Sequence, residues 1–356
     1  MKSPHAFRRL RIACALSATC LALSTPATAA TFCVSSGSDL RAALAVAASN
    51  NENDIISIVN GTYAVTAPLA YHATELRALY LIGGYAPGCT GLAASGAKST
   101  IDGGGSSALL DVVSAGDVTL MRLAWHSGRS HVGDNAFVIQ RQSGASGRVR
   151  LWQNELRDLA GYADANTVRI PVYVAAGGQL DIANSVFRGI ESGYAGREAI
   201  DLLAGSSADG HGGLFVNNTV TANIVEHDSL GNSGVVLFDQ GGDPWLAANN
   251  ILYGNLADHD IVFEGTTALF HNDIGSYLGT PADGIGTNPS VDPGFVDAGV
   301  GDYRLGAGSV LIDGGYTGAY PGAKDFDDQP RVAHGTVDMG AWEFQFGDLI
   351  FADGFE

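Results

Sequence analysis

The chain has 356 residues, among them 48 glycines and 11 prolines, with only 16% charged residues and a formal net charge of −18 at pH 7. An acid excess of this size repels nucleic-acid phosphates and anionic membrane surfaces, whose binding depends on Lys and Arg. Neither is expected as a partner. The charge leaves room for Ca2+ on oxygen ligands, although a solvated acidic exterior explains the same composition.

In chain order, Lys2, Arg8, Arg9 and Arg11 precede a short apolar stretch over residues 12–24, and Pro26-Ala27-Thr28-Ala29-Ala30 supplies small residues. This is the pattern of a cleavable signal peptide over residues 1–30, so a secreted or outer-cell-surface location is expected. Cys14 and Cys20 would leave with it. No later apolar run is long enough to span a bilayer, so no transmembrane segment is expected in the mature chain. Cys33 and Cys89 then remain, an even pair that in an exported chain reads as a disulfide, with two buried thiols as the alternative. On the chain-entropy model such a bridge stabilises by roughly 4 kcal/mol.

Ser38 and Asp39 can start a helix through Leu40, Ala43, Leu44 and Ala47, whose apolar face would plug one end of a repeating structure. Strands at 55–59 and 79–82 follow. Six similar segments come next: VTLMRLAW, RLWQNEL, LDIANSVF, LFVNNTV, LAANNIL and ALFHNDI. Their aligned polar residues are Arg122, Asn154, Asn184, Asn218, Asn250 and Asn272, at steps of 32, 30, 34, 32 and 22 residues. Period-two alternation places the five asparagines on a face shared with Leu180, Ile182 and Val186, with Leu214, Val216 and Val220, and with their counterparts in later copies. A buried amide needs hydrogen bonds. Stacked asparagines provide them along the stack, as in the asparagine ladder of a β-solenoid.

A second strand recurs between the copies as ALLDVV, AFVIQR, PVYVAA, AIDLLA, GVVLFD and DIVFEG. Each is short, apolar and bounded by Gly, Ser or Asp, as parallel strands are. The repeat of about 30 residues reads as an all-β chain, a right-handed parallel β-helix over residues 31–284 with a short N-terminal capping helix. A propeller or sandwich would need regular hairpin signals, which are missing. A monomer is expected.

The runs FCVSSGSDLRAAL, IVNGTY, LIGGYAPGC and STIDGGG resemble the opening of exported bacterial pectin-lyase-like β-helix proteins. The paired cysteine segments of that group are similarly placed, which adds to the disulfide inference. NPSVDPGFVDAGVGDYRLGAGSVLIDGG and DFDDQPRVAHGTVDMGAWEF, within residues 285–345, are similar to the choice-of-anchor Q domain that closes such β-helices. Asp328 stands where that pattern usually has Gly, and Trp342 where Tyr is common. Residues 346–356, ending GDLIFADGFE, form a tail that reads either as a sorting tag or as a frayed terminus.

The resemblance also brings polysaccharide lyases and glycoside hydrolases into view. Polygalacturonases of that fold carry Asn-Thr-Asp, Asp-Asp, Gly-His-Gly and Arg-Ile-Lys. This chain has Gly210-His211-Gly212, no Asn-Thr-Asp, no Arg-Ile-Lys, and its single Asp-Asp, Asp327-Asp328, near the C-terminus. Outward positions of the second strand are expected at Asp111, Gln140, Tyr173, Asp201, Asp239 and either Asp260 or Glu264. With coils about 4.8 Å apart, Asp201 and Asp239 could share a sugar or a cation, with Arg197 and His211 close in sequence. Asp201, His211 and Asp239 are therefore the catalytic candidates, although solvated carboxylates explain the same pattern. Trp125, His126, Arg129 and His131 form a second polar-aromatic cluster. Two function classes stay open: a non-catalytic surface protein that binds polysaccharide or cell-surface glycan, and a lyase or hydrolase acting on uronate-rich polymer. The missing catalytic set favours the first.

Overall fold

The computed structural model describes residues 29–131, 135–142, 147–163, 168–192, 198–206, 210, 212–225, 233–282, 288–319 and 322–345. The expected signal peptide, apart from Ala29 and Ala30, lies outside the described residues, as do the tail at 346–356, Arg197 and His211.

Short β-branched and apolar segments stack in parallel into three long sheets. Face 1 has nine strands, from Ala29–Val34 through Arg148–Trp152 to Thr267–Phe270. Face 2 has eight, from Thr62–Ala64 to Asp273–Ile274, and face 3 has eight, from Leu69–Ala73 to Tyr277–Leu278. Each coil visits face 1, then face 2, then face 3, and the next coil lies in register upon it. The fold is a right-handed parallel β-helix, the hand favoured for parallel crossovers. Its interior is one apolar column including Leu151, Ile182, Phe215, Val235 and Ile261.

Between faces 1 and 2 the chain turns on a single residue. Arg122, Gln153, Asn184, Asn217, Asn249 and His271 have φ of 57°, 53°, 49°, 55°, 57° and 52°. This left-handed conformation costs most L-residues about 1–2 kcal/mol and is tolerated best by Asn. The next residue points inward, and there the ladder forms. The Asn218, Asn250 and Asn272 backbone N–H groups donate to the side-chain oxygens of Asn250, Asn272 and Asn288 at 2.9, 3.0 and 2.9 Å. Their side-chain amides donate to the same oxygens at 3.1, 2.8 and 3.1 Å.

Two expectations are corrected here. Asn184 is not a rung: it occupies the corner, and Ser185 fills the ladder position, donating its N–H to Asn218 Oδ1 at 3.0 Å. Asn154 above it donates its N–H to Ser185 Oγ at 3.1 Å. Arg122 is likewise a corner residue. Each of the six segments is therefore two strands joined by a left-handed residue, and alternation cannot be counted across that break. For the same reason Leu214 and Val216 point outward, opposite Asp181 and Ala183, while Gly213 and Phe215 stack on Leu180 and Ile182.

A second, shorter ladder runs along the corner between faces 2 and 3. Ile190 N–H donates to Asn223 Oδ1 at 2.9 Å, Asn223 N–H to Asn255 Oδ1 at 3.1 Å, and Asn255 N–H to Asp260 Oδ1 at 3.2 Å.

Helix α1 (Gly37–Ala47) covers the first coil with Leu40, Ala43, Leu44 and Ala47, all buried. Its cap is Ser36 rather than Ser38 or Asp39, since Ser36 Oγ accepts the Asp39 N–H at 3.1 Å. Cys33 and Cys89 are disulfide-bonded, tying the first strand to a turn 56 residues on.

The described residues after 288 fold back along the outside. A short antiparallel pair, Phe295–Asp297 with Asp302–Leu305, precedes a strap that climbs against the stacking direction. The outward corner side chains hold it. His271 Nδ1 meets Gly314 O at 2.9 Å, Asn249 donates to Tyr316 O at 3.1 Å and Asn184 to Lys324 O at 3.0 Å. Gln153 donates to Asp325 O and to Asp328 Oδ1 at 2.6 and 2.8 Å, and Arg122 pairs with Asp328. Asp328 itself has φ of 63°. Val216, Ala248 and Ala319 bury one another, as do Val186, Phe326 and Ala341, so the strap seals the outward apolar residues of faces 1 and 2.

Asn250→Ala removes one rung and strands the N–H of Asn218. The expected cost is about 2–4 kcal/mol, read from urea unfolding. Asn184→Gly keeps the corner conformation and loses mainly the strap contact, so about 1 kcal/mol or less is expected. Equal losses for the two variants would contradict the corrected register.

Candidate functional site

Apart from Ser290, which bonds the Gly275 carbonyl just past face 2, the described hydrogen bonds, ion pairs and ring contacts that residues 288–345 make outside their own segment go to faces 1 and 2, their shared corner and the loop at 95–98. Face 3 carries two outward rows. One contains Asp111, Val138, Tyr173, Asp201, Val236 and Val262, each opposite the next on the neighbouring coil. The other contains Val113, Gln140, Ala175, Leu203, Phe238 and Glu264.

Asp201 sits beside Tyr173 on one coil and Val236 on the next. Burial pushes its carboxyl up to about 7, assisted by the negative charges of Glu198 and Glu264. Burial also raises the Tyr173 hydroxyl, and Asp201 adds to that shift. The site therefore pairs a carboxyl that exchanges its proton near neutrality with an aromatic ring, flanked by Leu203, Val236 and the half-buried Phe238. At the start of the same face, His72 Nε2 meets Asp111 Oδ2 at 2.8 Å.

The structure does not bring Asp201 and Asp239 together. Asp239 pairs with Ala204, three positions along the strand, and its Oδ1 accepts the N–H groups of Gly241 and Gly242 at 2.9 and 2.6 Å. It shapes a turn. Asp260 is not an outward residue either: it is buried and accepts from Asn255 and Ser276, so Glu264 occupies the outward row. The structure shifts these registers because the strands begin at different distances from their turns, which a one-dimensional repeat conceals. The contributions of Leu203, Val236 and Phe238 were missed for the same reason.

The polar-aromatic cluster also divides. Trp125 is inside the column, edge-on to Phe137 at 5.1 Å. His126 is outside on face 2, with Nε2 2.9 Å from Asp158 and Nδ1 3.9 Å from Asp102. Arg129 is exposed, and His131 reaches Ser106 O at 2.9 Å. Among the described residues no three His, Cys, Asp or Glu side chains are grouped to hold a metal ion, and no helix is long and apolar enough to cross a membrane. No protein-family model matches the chain, and no curated protein matches it.

Because the folded-state pKa of Asp201 lies above its ordinary value, the native state binds the extra proton and stability falls as pH rises from about 4 through about 7. Asp201→Asn removes that dependence. The variant is expected to melt higher than the parent at pH 8 and to match it at pH 4, as measured by thermal unfolding. A parallel fall of both proteins with pH would remove Asp201 as the titrating group.

Proposed function

We propose that this chain is an exported cell-surface β-helix protein of the pectin-lyase-like kind, closed by a choice-of-anchor Q-like segment, that binds glycan along face 3 without cleaving it. The observation that carries this reading is the division of the surface. The strap occupies faces 1 and 2, whereas the outward rows of face 3 carry exposed Gln140 and Glu264 and half-buried Asp111, Tyr173, Asp201 and Phe238 around a buried apolar centre of Leu203, Val236 and Val262. Glycan sites combine aromatic faces, which pack on sugar C–H groups, with a few oriented polar groups. Tyr173, Phe238, Gln140 and Asp201 supply that combination, and a repeating sheet matches a repeating polymer. Export rests on the N-terminal sequence pattern, and the name of the closing segment on its motifs. Asp328 takes the left-handed φ for which Gly is usual at that position.

A second reading, a polysaccharide lyase or hydrolase, is favoured by one observation: Asp201 is displaced to about 7, where a carboxyl can serve as acid or base.

A glycan array probed with the full chain tests the first reading. Retention on at least one polysaccharide is expected, with affinity falling about tenfold in Tyr173→Ala, equivalent to loss of one aromatic contact. No retention on any glycan would refute it. Release of reducing ends, or of unsaturated uronate absorbance, that disappears in Asp201→Asn would establish the second reading instead.

A further inference from the structure

Where the strap passes the loop at 95–96, the two border a half-open cavity of about 520 Å³, within the range of small-molecule sites. Its walls come from distant parts of the chain. Ser95 Oγ donates to Asp327 O at 2.7 Å, Gln329 Nε2 donates to Ser95 Oγ at 3.0 Å, and Gly96 N–H donates to Asp328 Oδ2 at 3.1 Å. The cavity therefore exists only while the strap is docked.

Trp342 forms part of the lining and is held from two sides. Its Nε1–H donates to Asp327 Oδ2 at 3.0 Å, and its ring lies edge-on to Phe326 at 4.8 Å. Phe326 in turn is covered by Lys98 Nζ, 3.4 Å from the ring centroid. An indole fixed in this way is a preorganised platform. Asp327, Gln329, Gln345 and Ser95 surround it; the Nε2 atoms of Gln329 and Gln345 already donate to Ser95 Oγ and to the carbonyls of Pro330 and Glu343, so these side chains offer a ligand mainly their oxygens as acceptors.

The chemistry of the lining narrows the ligand. Asp325 and Glu343 lie in the wall, but their oxygens already accept backbone N–H groups: Asp327, Gln329 and Glu343 on the first, Ala333 and Asp338 on the second. They are not free to ligate a cation. An anion is disfavoured as well, because Arg304 in the lining is held at 2.8 and 2.6 Å by both oxygens of Asp302 while three carboxyls share the wall. What fits is an uncharged molecule with an apolar face and many hydroxyls.

We propose that this seam cavity is a subsite for a neutral saccharide of one or two rings, stacked on Trp342 and hydrogen-bonded by Asp327, Gln329 and Gln345. It is separate from face 3 and does not depend on the glycan reading of that face. The test is the indole N–H resonance of Trp342 in the ¹⁵N-labelled full chain, assigned by its loss in Trp342→Phe. Cellobiose, xylobiose, lactose and chitobiose are titrated to high millimolar, beside digalacturonate and Ca2+ alone. At least one neutral disaccharide is expected to shift this resonance, with affinity reduced about fivefold to tenfold in Gln329→Ala, compared at a temperature below the melting transition of both proteins, and unaltered in Tyr173→Ala. If every neutral sugar leaves the resonance in place, or if digalacturonate or Ca2+ alone moves it, the assignment is wrong.

Discussion

The structure depends on one repeated constraint: a single residue in the left-handed conformation at the corner between faces 1 and 2 of successive coils. That residue turns the chain sharply enough for the next strand to lie over its predecessor. It also divides two neighbouring side chains, sending the corner residue outward and the following one inward. A run of asparagine pairs such as Asn217-Asn218 and Asn249-Asn250 is the chemical consequence. The first member tolerates the strained backbone, and the second bonds up and down the stack. Inside an apolar column an amide is stable only if all its groups are matched, and the in-register coils match them.

The outward members of the same corner hold the strap. Arg122, Gln153, Asn184, Asn249 and His271 each meet strap backbone or Asp328, so one column organises both the interior and the exterior. The strap buries apolar outward residues of faces 1 and 2, and its described contacts stop short of the outward rows of face 3. It also completes the seam cavity beside Trp342, whose lining no single stretch of chain contains.

Acidic charge enters the picture in two different ways. Asp325, Asp338 and Glu343 lie buried around Arg331, a fully buried guanidinium that donates to the carbonyls of Asp338 and Gly340 at 2.8 and 2.7 Å. Burial lifts Asp325 to about 6 and Glu343 to about 7, and their oxygens are saturated by backbone N–H groups. These carboxyls fold the C-terminal segment. Asp201 is different: it points outward on face 3 beside Tyr173, where burial among Tyr173, Leu203 and Val236 lifts its carboxyl to about 7, and among the described residues no backbone N–H donates to it to fix the fold.

Much of the architecture was legible in the residues themselves. The repeat of about 30 residues, the recurring apolar segments and the asparagines at Asn154, Asn218, Asn250 and Asn272 follow from local preferences, which are written along the chain. So do the apolar face of α1 and the even pair Cys33 and Cys89. Register was not legible. Whether Asn184 or Ser185 enters the column, and whether Asp201 faces Asp239 or Val236, depends on where each corner falls, and alternation is silent across a left-handed residue. The seam cavity was hidden for a further reason: Ser95 and Gln329 are neighbours only because the strap returns over coils laid down more than two hundred residues earlier. Local chemistry determined the coil, and packing over long separations decided which side chains meet.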